Sequence, residues 1–255
     1  MWCWGLLSNW WAPIQNNQIK SIIAFAIDNG IKHFDTAKVY WWDGESIFSD
    51  IAEPVRVSTK IPAKKKPEQH DWDSDINNFY DHAYIQTQLE DTLVKLAHKV
   101  DIVYLHNRST KRAHNTDEII WLLHAYKQSW NIQSVGVSLP DNYTWNLEYI
   151  INNPLIEYIQ INQSIIHDNS ATIHTLKQAW KKINVRSIFH QWLLLHSDKL
   201  PAYDIRHSRQ QTNAQTQDIV RCLNWINNNS DIHWVILGMR NKDQIIHNIS
   251  LSQWI

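Results

Sequence analysis

The stretch Gly30-Ile-Lys-His-Phe-Asp35-Thr-Ala-Lys-Val-Tyr40 joins a helix stop, a short apolar run and two side chains suited to proton transfer. Apolar residues spaced three and four apart predict a helix over 16–29, and Asn29-Gly30 is a typical stop. The apolar run that follows predicts a strand over 31–34 that ends at Asp35. An aspartate alone in such a place is more often a turn or cap residue, so its role depends on what the other strands bring to the same end.

Strand and helix patterns alternate along the rest of the chain. Most of the apolar runs lack the alternating polarity of a half-exposed sheet, as expected of parallel strands covered on both faces. Seven βα units and a weak first strand around 5–7 favour a single (β/α)₈ TIM barrel domain over residues 1–255. A doubly wound sheet is the alternative, but no Gly-x-Gly-x-x-Gly turn follows any strand. The further predicted strands lie at 55–60, 101–106, 132–138, 155–161, 184–189 and 234–237, and the further helices at 45–52, 79–97, 116–128, 142–152, 170–182, 213–228 and from 242.

Composition limits the class of protein and its partners. Lys and Arg total 24 and Asp and Glu total 25, so the charge gives no sign of a nucleic-acid or membrane partner. Two cysteines form no disulfide framework and indicate a reducing compartment. No apolar run approaches the roughly 18 residues of a membrane span, and the 14 histidines show no metal-ligand spacing such as HExxH. We therefore expect a cytoplasmic protein without a metal site, and the oligomeric state stays open.

Seven successive predicted strands end in a polar or otherwise special residue. These residues are Asp35, Lys60, His106, Ser138, Gln160, Ser187 and Gly238. In parallel barrels the working residues lie at the carboxyl ends of the strands, where side chains from distant parts of the chain meet. The sequence therefore predicts a functional site at this face of the barrel.

Four of the predicted site residues are suited to reducing a carbonyl group. A free tyrosine has a pKa of about 10 and is a weak acid, so a lysine beside Tyr40 is expected to lower that pKa. Asp35 would hold the Lys60 ammonium in place, and His106 would donate a hydrogen bond to the carbonyl oxygen. No side chain supplies a hydride, so the chemistry needs a cofactor.

The motifs around these residues resemble those of the aldo-keto reductases, including short bacterial members. Phe34-Asp35-Thr36-Ala37 with Tyr40 resembles the family's first signature, and Ser58-Thr59-Lys60 resembles its lysine strand. Asp101-Ile-Val-Tyr-Leu-His106 resembles the strand that ends in the family's histidine. Further similar segments are 132–138, 158–160, 185–195 and Val235-Ile-Leu-Gly238, so the resemblance covers about residues 16–250.

The resemblance implies a role for each matching residue. Tyr40 would be the general acid, with Lys60 and Asp35 tuning it and His106 orienting the carbonyl. The implied cofactor-binding residues are Ser138 and Gln160 at the nicotinamide carboxamide, Ser187 and its loop with Phe189 at the pyrophosphate, Arg240, Gln244 and Asn248 at the adenosine end, and Thr36 and Gly238. NADP is the implied cofactor with NAD as the alternative, because Arg240 could grip a 2′-phosphate or be an ordinary surface residue.

The chain departs from the family pattern at several positions. Leu139 replaces an asparagine that often follows the strand-five serine, and Arg186 replaces a tyrosine that often stacks on the nicotinamide. Gly238-Met239 replaces the Lys-Ser pair of NADP-specific members, which counts against NADP. The N-terminal hairpin and the long C-terminal loop of larger members are expected to be missing or short.

Tryptophan stands where the family pattern expects glycine. The clearest positions are Trp41, Trp130 and Trp192, and Trp11, Trp180 and Trp234 are similar. The chain has 15 Trp and 5 Gly, whereas an ordinary domain has about 7% Gly. One hypothesis is that many of these residues are glycine in the native protein, through a reassigned stop codon read under another code. If they are genuine, Trp41 and Trp192 would crowd the cofactor.

Two functions from different classes fit the sequence. The first is an NAD(P)H-dependent oxidoreductase that reduces a small aldehyde, ketone or sugar-like substrate, and the complete set of four residues favours it. The second is a catalytically weak nucleotide-binding barrel with a regulatory or scaffolding role, which the tryptophan substitutions keep open. The identity of the substrate and the physiological direction are not specified by these motifs, because the fold hosts many activities.

Overall fold

In the part of the chain that the structure describes, seven parallel strands alternate with helices and form a nearly closed barrel. The computed structural model describes residues 1–7, 14–40, 44–64, 79–97, 100–106, 116–140, 147–189 and 217–252. The strands are hydrogen-bonded in sequence order. They are β1 His33–Asp35, β2 Arg56–Ile61, β3 Val100–His106, β4 Ser134–Ser138, β5 Tyr158–Asn162, β6 Lys182–Arg186 and β7 Ile232–Ile236. The helices are α1 Trp4–Leu7, α2 Asn16–Asp28, α3 His82–Lys95, α4 Thr116–Gln128, α5 Leu147–Asn152, α6 Ser170–Gln178, α7 Gln217–Asn227 and α8 Lys242–Ser252.

A single N-terminal residue takes the place of the remaining strand. Trp2 pairs in parallel with Asp35 on one side and with Gly238 on the other. The Trp2 N–H donates to the Leu237 carbonyl at 2.7 Å, and the Cys3 N–H donates to the Asp35 carbonyl at 2.8 Å. The predicted (β/α)₈ barrel with a truncated first strand is therefore confirmed.

The position of that first strand differs from the prediction. Residues 5–7 do not extend but belong to helix α1, because the Leu6 and Leu7 N–H groups both donate to the Cys3 carbonyl at 3.0 Å. The chain therefore pairs with its neighbours at Trp2 and turns away immediately afterwards. The apolar run Gly5–Leu7 is buried as one side of a helical turn and not as a strand.

Two predicted helices are shorter than expected. Within 45–52 only a 3₁₀ turn forms, at Ser46–Phe48. The Ser49 hydroxyl donates to the Ser46 carbonyl at 2.7 Å and competes for the acceptor that would continue the helix. The helix predicted over 170–182 ends at Gln178. The other described helices and strands agree with the prediction to within a few residues, and the predicted helix starts at 142–146 and 213–216 lie outside the described residues.

Aromatic side chains fill the barrel beside the predicted site. Tyr104 and Tyr158 are buried, and Trp234 packs against them. A Cβ at Gly136 would approach the Tyr104 ring to 2.6 Å, so only glycine admits this ring. Asn184 Nδ2 donates to the Tyr104 hydroxyl at 2.8 Å. These packed aromatic side chains lie beside the predicted site, because Tyr104 of β3 pairs in register with Lys60 of β2.

The described helices were compared in length and apolar character with a membrane-spanning helix. None of them combines the length and the apolar character that a transmembrane helix needs.

Candidate active site

A buried ion pair joins the ends of the first two strands. Lys60 Nζ donates to Asp35 Oδ1 at 2.5 Å and to the Thr36 carbonyl at 2.8 Å. The second carboxylate oxygen, Asp35 Oδ2, accepts from Gln160 Nε2 at 2.7 Å. Asp35 and Lys60 are 2% and 1% exposed, and a pair of charges so far from water is stable only with such partners. The two residues hold each other in place through this contact.

Tyr40 and His106 lie against this ion pair. Tyr40 ends a 3₁₀ turn, Lys38–Tyr40, that follows β1. Lys60 Nζ lies 5.0 Å from the centroid of the Tyr40 ring. The His106 ring meets the Tyr40 ring edge-on, with 6.3 Å between the centroids. The structure thus brings together the four side chains for which the sequence predicts chemistry.

The pKa of the phenol differs in direction from the prediction. Burial raises the pKa of Tyr40, and although the Lys60 ammonium opposes this effect, the net shift is upward. For Lys60, burial lowers the pKa, but the Asp35 and Tyr40 charges outweigh burial and raise it. Lys60 therefore lowers the pKa of Tyr40 as expected, but burial of the phenolate away from water raises that pKa by more. Tyr40 is consequently a protonated phenol at neutral pH, as a proton donor must be.

His106 is a neutral imidazole in this arrangement. Burial, followed by the charges of Lys60 and Arg186, lowers the pKa of His106 from 6.5 to about 3. Its backbone carbonyl accepts from the Tyr80 hydroxyl at 2.7 Å, which fixes the end of β3. A neutral imidazole can donate one hydrogen bond to a substrate oxygen without bringing a second positive charge next to Lys60.

Acidification is expected to destabilise the protein through two histidines. The pKa values of His33 and His106 both fall from 6.5 to about 3, chiefly because of burial. The folded state keeps these rings neutral, whereas the unfolded chain takes up protons below pH 6.5. The unfolded state then binds more protons, so stability is lost as the pH falls from 6.5 towards 3. Urea midpoints measured across this range should fall less steeply for His33→Gln than for the wild type, and an equal slope would contradict the assignment.

The residues predicted to hold the nicotinamide carboxamide are buried and already bonded. Ser138 and Gln160 have no exposed surface, and Ser138 Oγ donates to Gln160 Oε1 at 3.3 Å. Because Gln160 Nε2 is also engaged by Asp35, a carboxamide could use this amide only if one of these bonds is exchanged. Thr36 is fully buried, and its hydroxyl oxygen has no hydrogen-bond partner among the described residues.

The residues predicted at the pyrophosphate lie around one small cavity. Ser187, Phe189 and Gly238 line it together with Trp2. Ser187 follows β6 directly and has a φ of 63°, so the backbone turns sharply there. Non-glycine residues in this backbone conformation cluster at active sites and at segments that bind ligands.

The residues predicted at the adenosine end lie just before α8 and within it. Gln244 Oε1 accepts from the Arg240 backbone N–H at 2.7 Å, and the Gln244 N–H donates to Asn241 Oδ1 at 2.8 Å. Asn248 is 6% exposed, and its Nδ2 has no hydrogen-bond partner among the described residues. A buried amide donor without a partner is rare and indicates a group that a ligand could satisfy.

Arg186 stands where many family members have a tyrosine that stacks on the nicotinamide, but its side chain bonds to neighbouring strand ends instead. Its guanidinium donates to Asn162 Oδ1 and, at 2.9 Å, to the Leu139 carbonyl. The side chain thus ties together the ends of β4, β5 and β6. Leu139 itself is fully buried and its N–H donates to the Gln160 carbonyl at 2.8 Å.

Two residues near the site are not predicted by the sequence. Trp2 Nε1 donates to the Tyr40 hydroxyl at 2.9 Å. Glu45, which is 2% exposed, accepts from Thr59 next to Lys60. Neither residue ends a strand, so a search of strand ends misses both. A carboxylate five residues after the tyrosine, at the start of a predicted helix, is a weak signal by itself.

The comparisons with known proteins agree on one family. The chain matches the aldo/keto reductase family over residues 3–253. Among solved structures it is similar to the aldo-keto reductase AKR11C1 from Bacillus halodurans in its holo form, with 17% identity over 99% of this chain and 85% of the other, and a TM-score of 0.73. It is also similar to the glycerol dehydrogenase AKR11B4 from Gluconobacter oxydans, with 16% identity, 98% and 89% coverage and a TM-score of 0.68. No curated protein matches the sequence.

Proposed function

Because this chain belongs to the aldo/keto reductase family, we propose that it uses NADPH to reduce a small aldehyde, ketone or sugar-like carbonyl compound, with Tyr40 as the general acid. Membership makes it an oxidoreductase that uses a nicotinamide cofactor on small carbonyl substrates. The observation that supports the residue assignment is the Lys60 ammonium, which is paired with Asp35 and lies 5.0 Å from the centre of the Tyr40 ring. The two buried cysteines, Cys3 and Cys222, form no disulfide, and this supports the proposal of a reducing, cytoplasmic compartment.

In the proposed reaction the bound nicotinamide supplies the hydride that reaches the carbonyl carbon. Tyr40 donates its phenolic proton to the carbonyl oxygen, which becomes the alcohol hydroxyl. The phenolate that remains is stabilised by the Lys60 ammonium and is reprotonated from solvent. Asp35 keeps Lys60 charged, since its carboxylate raises the lysine pKa against the effect of burial. His106 donates a hydrogen bond to the same carbonyl oxygen and fixes its direction towards Tyr40.

The described residues fit a dinucleotide at both ends of the proposed site. Thr36 Oγ1 and Asn248 Nδ2 are buried polar atoms without protein partners among the described residues, and both belong to the residues that the family resemblance assigns to the cofactor. Ser138 and Gln160 would hold the carboxamide, with Gln160 exchanging its bond to Asp35. Arg240 would contact the 2′-phosphate, so NADP is proposed ahead of NAD.

Cofactor binding and turnover separate this proposal from a binding-only barrel. The protein is titrated with NADPH and with NADH, and binding is followed by tryptophan fluorescence. Oxidation of the bound cofactor is then measured with a series of small aldehydes and ketones. We expect saturable binding, stronger for NADPH, and turnover with at least one carbonyl compound. Binding without turnover would favour the regulatory barrel, and no binding of either nucleotide would contradict both functions.

A further inference from the structure

Three described helices end in the same backbone arrangement. After α2, the Gly30 N–H donates to the Ile27 carbonyl and the Ile31 N–H to the Ala26 carbonyl, both at 3.0 Å. These two bonds, three and five residues back along the chain, define the Schellman motif. The residue in the middle, Gly30, has a φ of +90°. Glycine is preferred there because a side chain would clash with the backbone at positive φ.

The other two helices place tryptophan at the position that Gly30 holds. After α4, the Trp130 N–H donates to the Lys127 carbonyl at 3.0 Å and the Asn131 N–H to the Tyr126 carbonyl at 3.1 Å. Trp130 has a φ of 62°. The bonding pattern is therefore the one found after α2, with a tryptophan as its left-handed residue.

The end of α6 repeats the arrangement. The Trp180 N–H donates to the Lys177 carbonyl at 2.9 Å, and the Lys181 N–H donates to the Leu176 carbonyl at 3.1 Å. Trp180 has a φ of 63°. Two independent helix ends thus share the substitution.

No contact among the described residues compensates for a tryptophan at these positions. The left-handed conformation costs an L-residue about 1–2 kcal/mol. Burial of the indole could offset that cost, but Trp130 is 81% exposed and Trp180 is 92% exposed. The chain therefore has tryptophan, the largest side chain, at two positions whose backbone conformation favours glycine. At both positions the indole ring is mostly exposed to solvent.

We infer that the native protein carries glycine at positions 130 and 180, where a reassigned stop codon has been read as tryptophan. The composition supports the inference, since 5 Gly and 15 Trp stand against about 7% Gly in ordinary domains. Trp234 does not share this argument, because it has no positive φ and packs on Tyr158 in the barrel. Trp41 and Trp192 lie outside the described residues.

Trp2 has no positive φ and does not share this argument, but its side chain bears on the candidate active site. Its indole lies between Tyr40, to which it donates, and the cavity lined by Ser187 and Gly238. Glycine at position 2 would keep the backbone bonds of the barrel seam and leave open the space beside the phenol. Trp2→Gly is therefore expected to tighten nicotinamide nucleotide binding.

Two measurements test the inference without reference to enzymatic activity. Peptide mapping by mass spectrometry of the protein from its native host should find glycine in the peptide Gln178–Lys181 and at position 130; tryptophan at both positions would overturn the inference.

In recombinant protein, Trp130→Gly and Trp180→Gly should each raise the folding equilibrium constant roughly 5- to 30-fold. The matched control is Trp121→Gly, since Trp121 is 63% exposed on the same helix α4 but inside it, where glycine should lower the constant about 2-fold. Destabilisation at 130 and 180 comparable with that at 121 would remove the physical basis of the inference.

A second, independent observation concerns the segment that carries Tyr40. Helix α3 holds this segment on both sides of the tyrosine. Before it, Lys38 Nζ donates to the Gln88 carbonyl at 2.7 Å and to Asp91 Oδ2 at 2.6 Å. After it, Glu45 Oε2 accepts from Thr92 Oγ1 of α3 at 3.0 Å.

The same carboxylate also holds the strand that carries the lysine. Glu45 Oε1 accepts from Thr59 Oγ1 at 2.5 Å. Thr59 precedes Lys60 on β2, and alternate residues of a strand point to opposite faces. Thr59 therefore reaches out to Glu45 while Lys60 reaches in to Asp35. One buried carboxylate, five residues after Tyr40 along the chain, therefore links the lysine-bearing strand to α3.

The geometry points to Glu45 as a positioning residue that sets the distance between the Tyr40 phenol and the Lys60 ammonium. The proposal rests on the proposed function for its kinetic consequence. Glu45→Ala should lower kcat about 10- to 100-fold, with nicotinamide nucleotide affinity unchanged. Glu45→Gln keeps an oxygen acceptor and should retain more activity, and Thr92→Val, which removes only one partner, should have the smallest effect.

A titration of the phenol distinguishes this proposal from the proposed function. The ultraviolet absorbance of Tyr40 against pH, obtained as the difference from Tyr40→Phe, should shift in Glu45→Ala and shift less in Glu45→Gln. This readout reports the distance to Lys60 even if the protein turns over no carbonyl compound. A Tyr40 titration that is unchanged in folded Glu45→Ala, or a shift in Glu45→Gln as large as that in Glu45→Ala, would overturn the positioning role.

Discussion

Tyr40→Phe is expected to lower the rate of carbonyl reduction by about 10²–10⁴-fold, the usual contribution of a positioned general acid. Phenylalanine keeps the ring that packs beside His106 and Lys60 and removes only the hydroxyl. Nicotinamide nucleotide affinity should therefore change little, since the loss falls on proton transfer. Single-turnover rates with a saturating aldehyde, together with fluorescence titration of the nucleotide, separate the two quantities.

Trp2 provides the control for this experiment. Its indole N–H donates to the Tyr40 hydroxyl, so Tyr40→Phe also leaves that donor without its acceptor. Trp2→Phe removes the donor and keeps Tyr40, and it should retain most of the turnover. If Tyr40→Phe and Trp2→Phe lose activity equally, or if Tyr40→Phe stays fully active, another group delivers the proton and the assignment is wrong.

Lys60→Met is expected to cost both stability and activity. Methionine is similar in length but leaves the Asp35 carboxylate, 2% exposed, without its cation. Removing one partner of a buried ion pair typically costs about 3–5 kcal/mol, which urea denaturation would measure. Turnover should also fall sharply, because the phenolate left after proton transfer would lose its stabilising charge.

The double variant Asp35→Asn with Lys60→Met separates the two effects. It removes both charges, so much of the lost stability should return while activity stays low. Gln160, which donates to Asp35 Oδ2, can bond the asparagine oxygen in the same way. A double variant as unstable as Lys60→Met would show that the cost lies in packing and not in the uncompensated carboxylate. Recovery of turnover in the double variant would contradict the role of Lys60.

The order and type of the barrel elements follow from local patterns in the sequence. Strands such as 101–106 are apolar on both faces, and their ends are marked by residues such as His106. These features depend on short-range periodicity and on the rule that parallel strands bring their carboxyl ends together. For this reason the grouping of Asp35, Tyr40, Lys60 and His106 could be anticipated without coordinates.

Other features depend on distances that periodicity does not contain. The sequence predicts that Gln160 binds a cofactor, but its amide also reaches Asp35, 125 residues away along the chain. The direction of the Tyr40 pKa shift depends on burial, which outweighs the nearby lysine. Glu45 contacts Thr59 and Thr92 only because β2 and α3 pack on either side of it. Each of these three features depends on tertiary packing, which local sequence patterns do not specify.

The single pairing residue at Trp2 has a consequence for how the protein avoids self-association. It joins β1 to β7 through backbone bonds at Leu237 and Asp35. Were this segment to detach, the cylinder would become an open curved sheet with two bare edges, each able to recruit a strand from another molecule. Pairing at Trp2 keeps both of these edges covered, and we expect its loss to favour aggregation, quite apart from any chemistry at the mouth of the barrel.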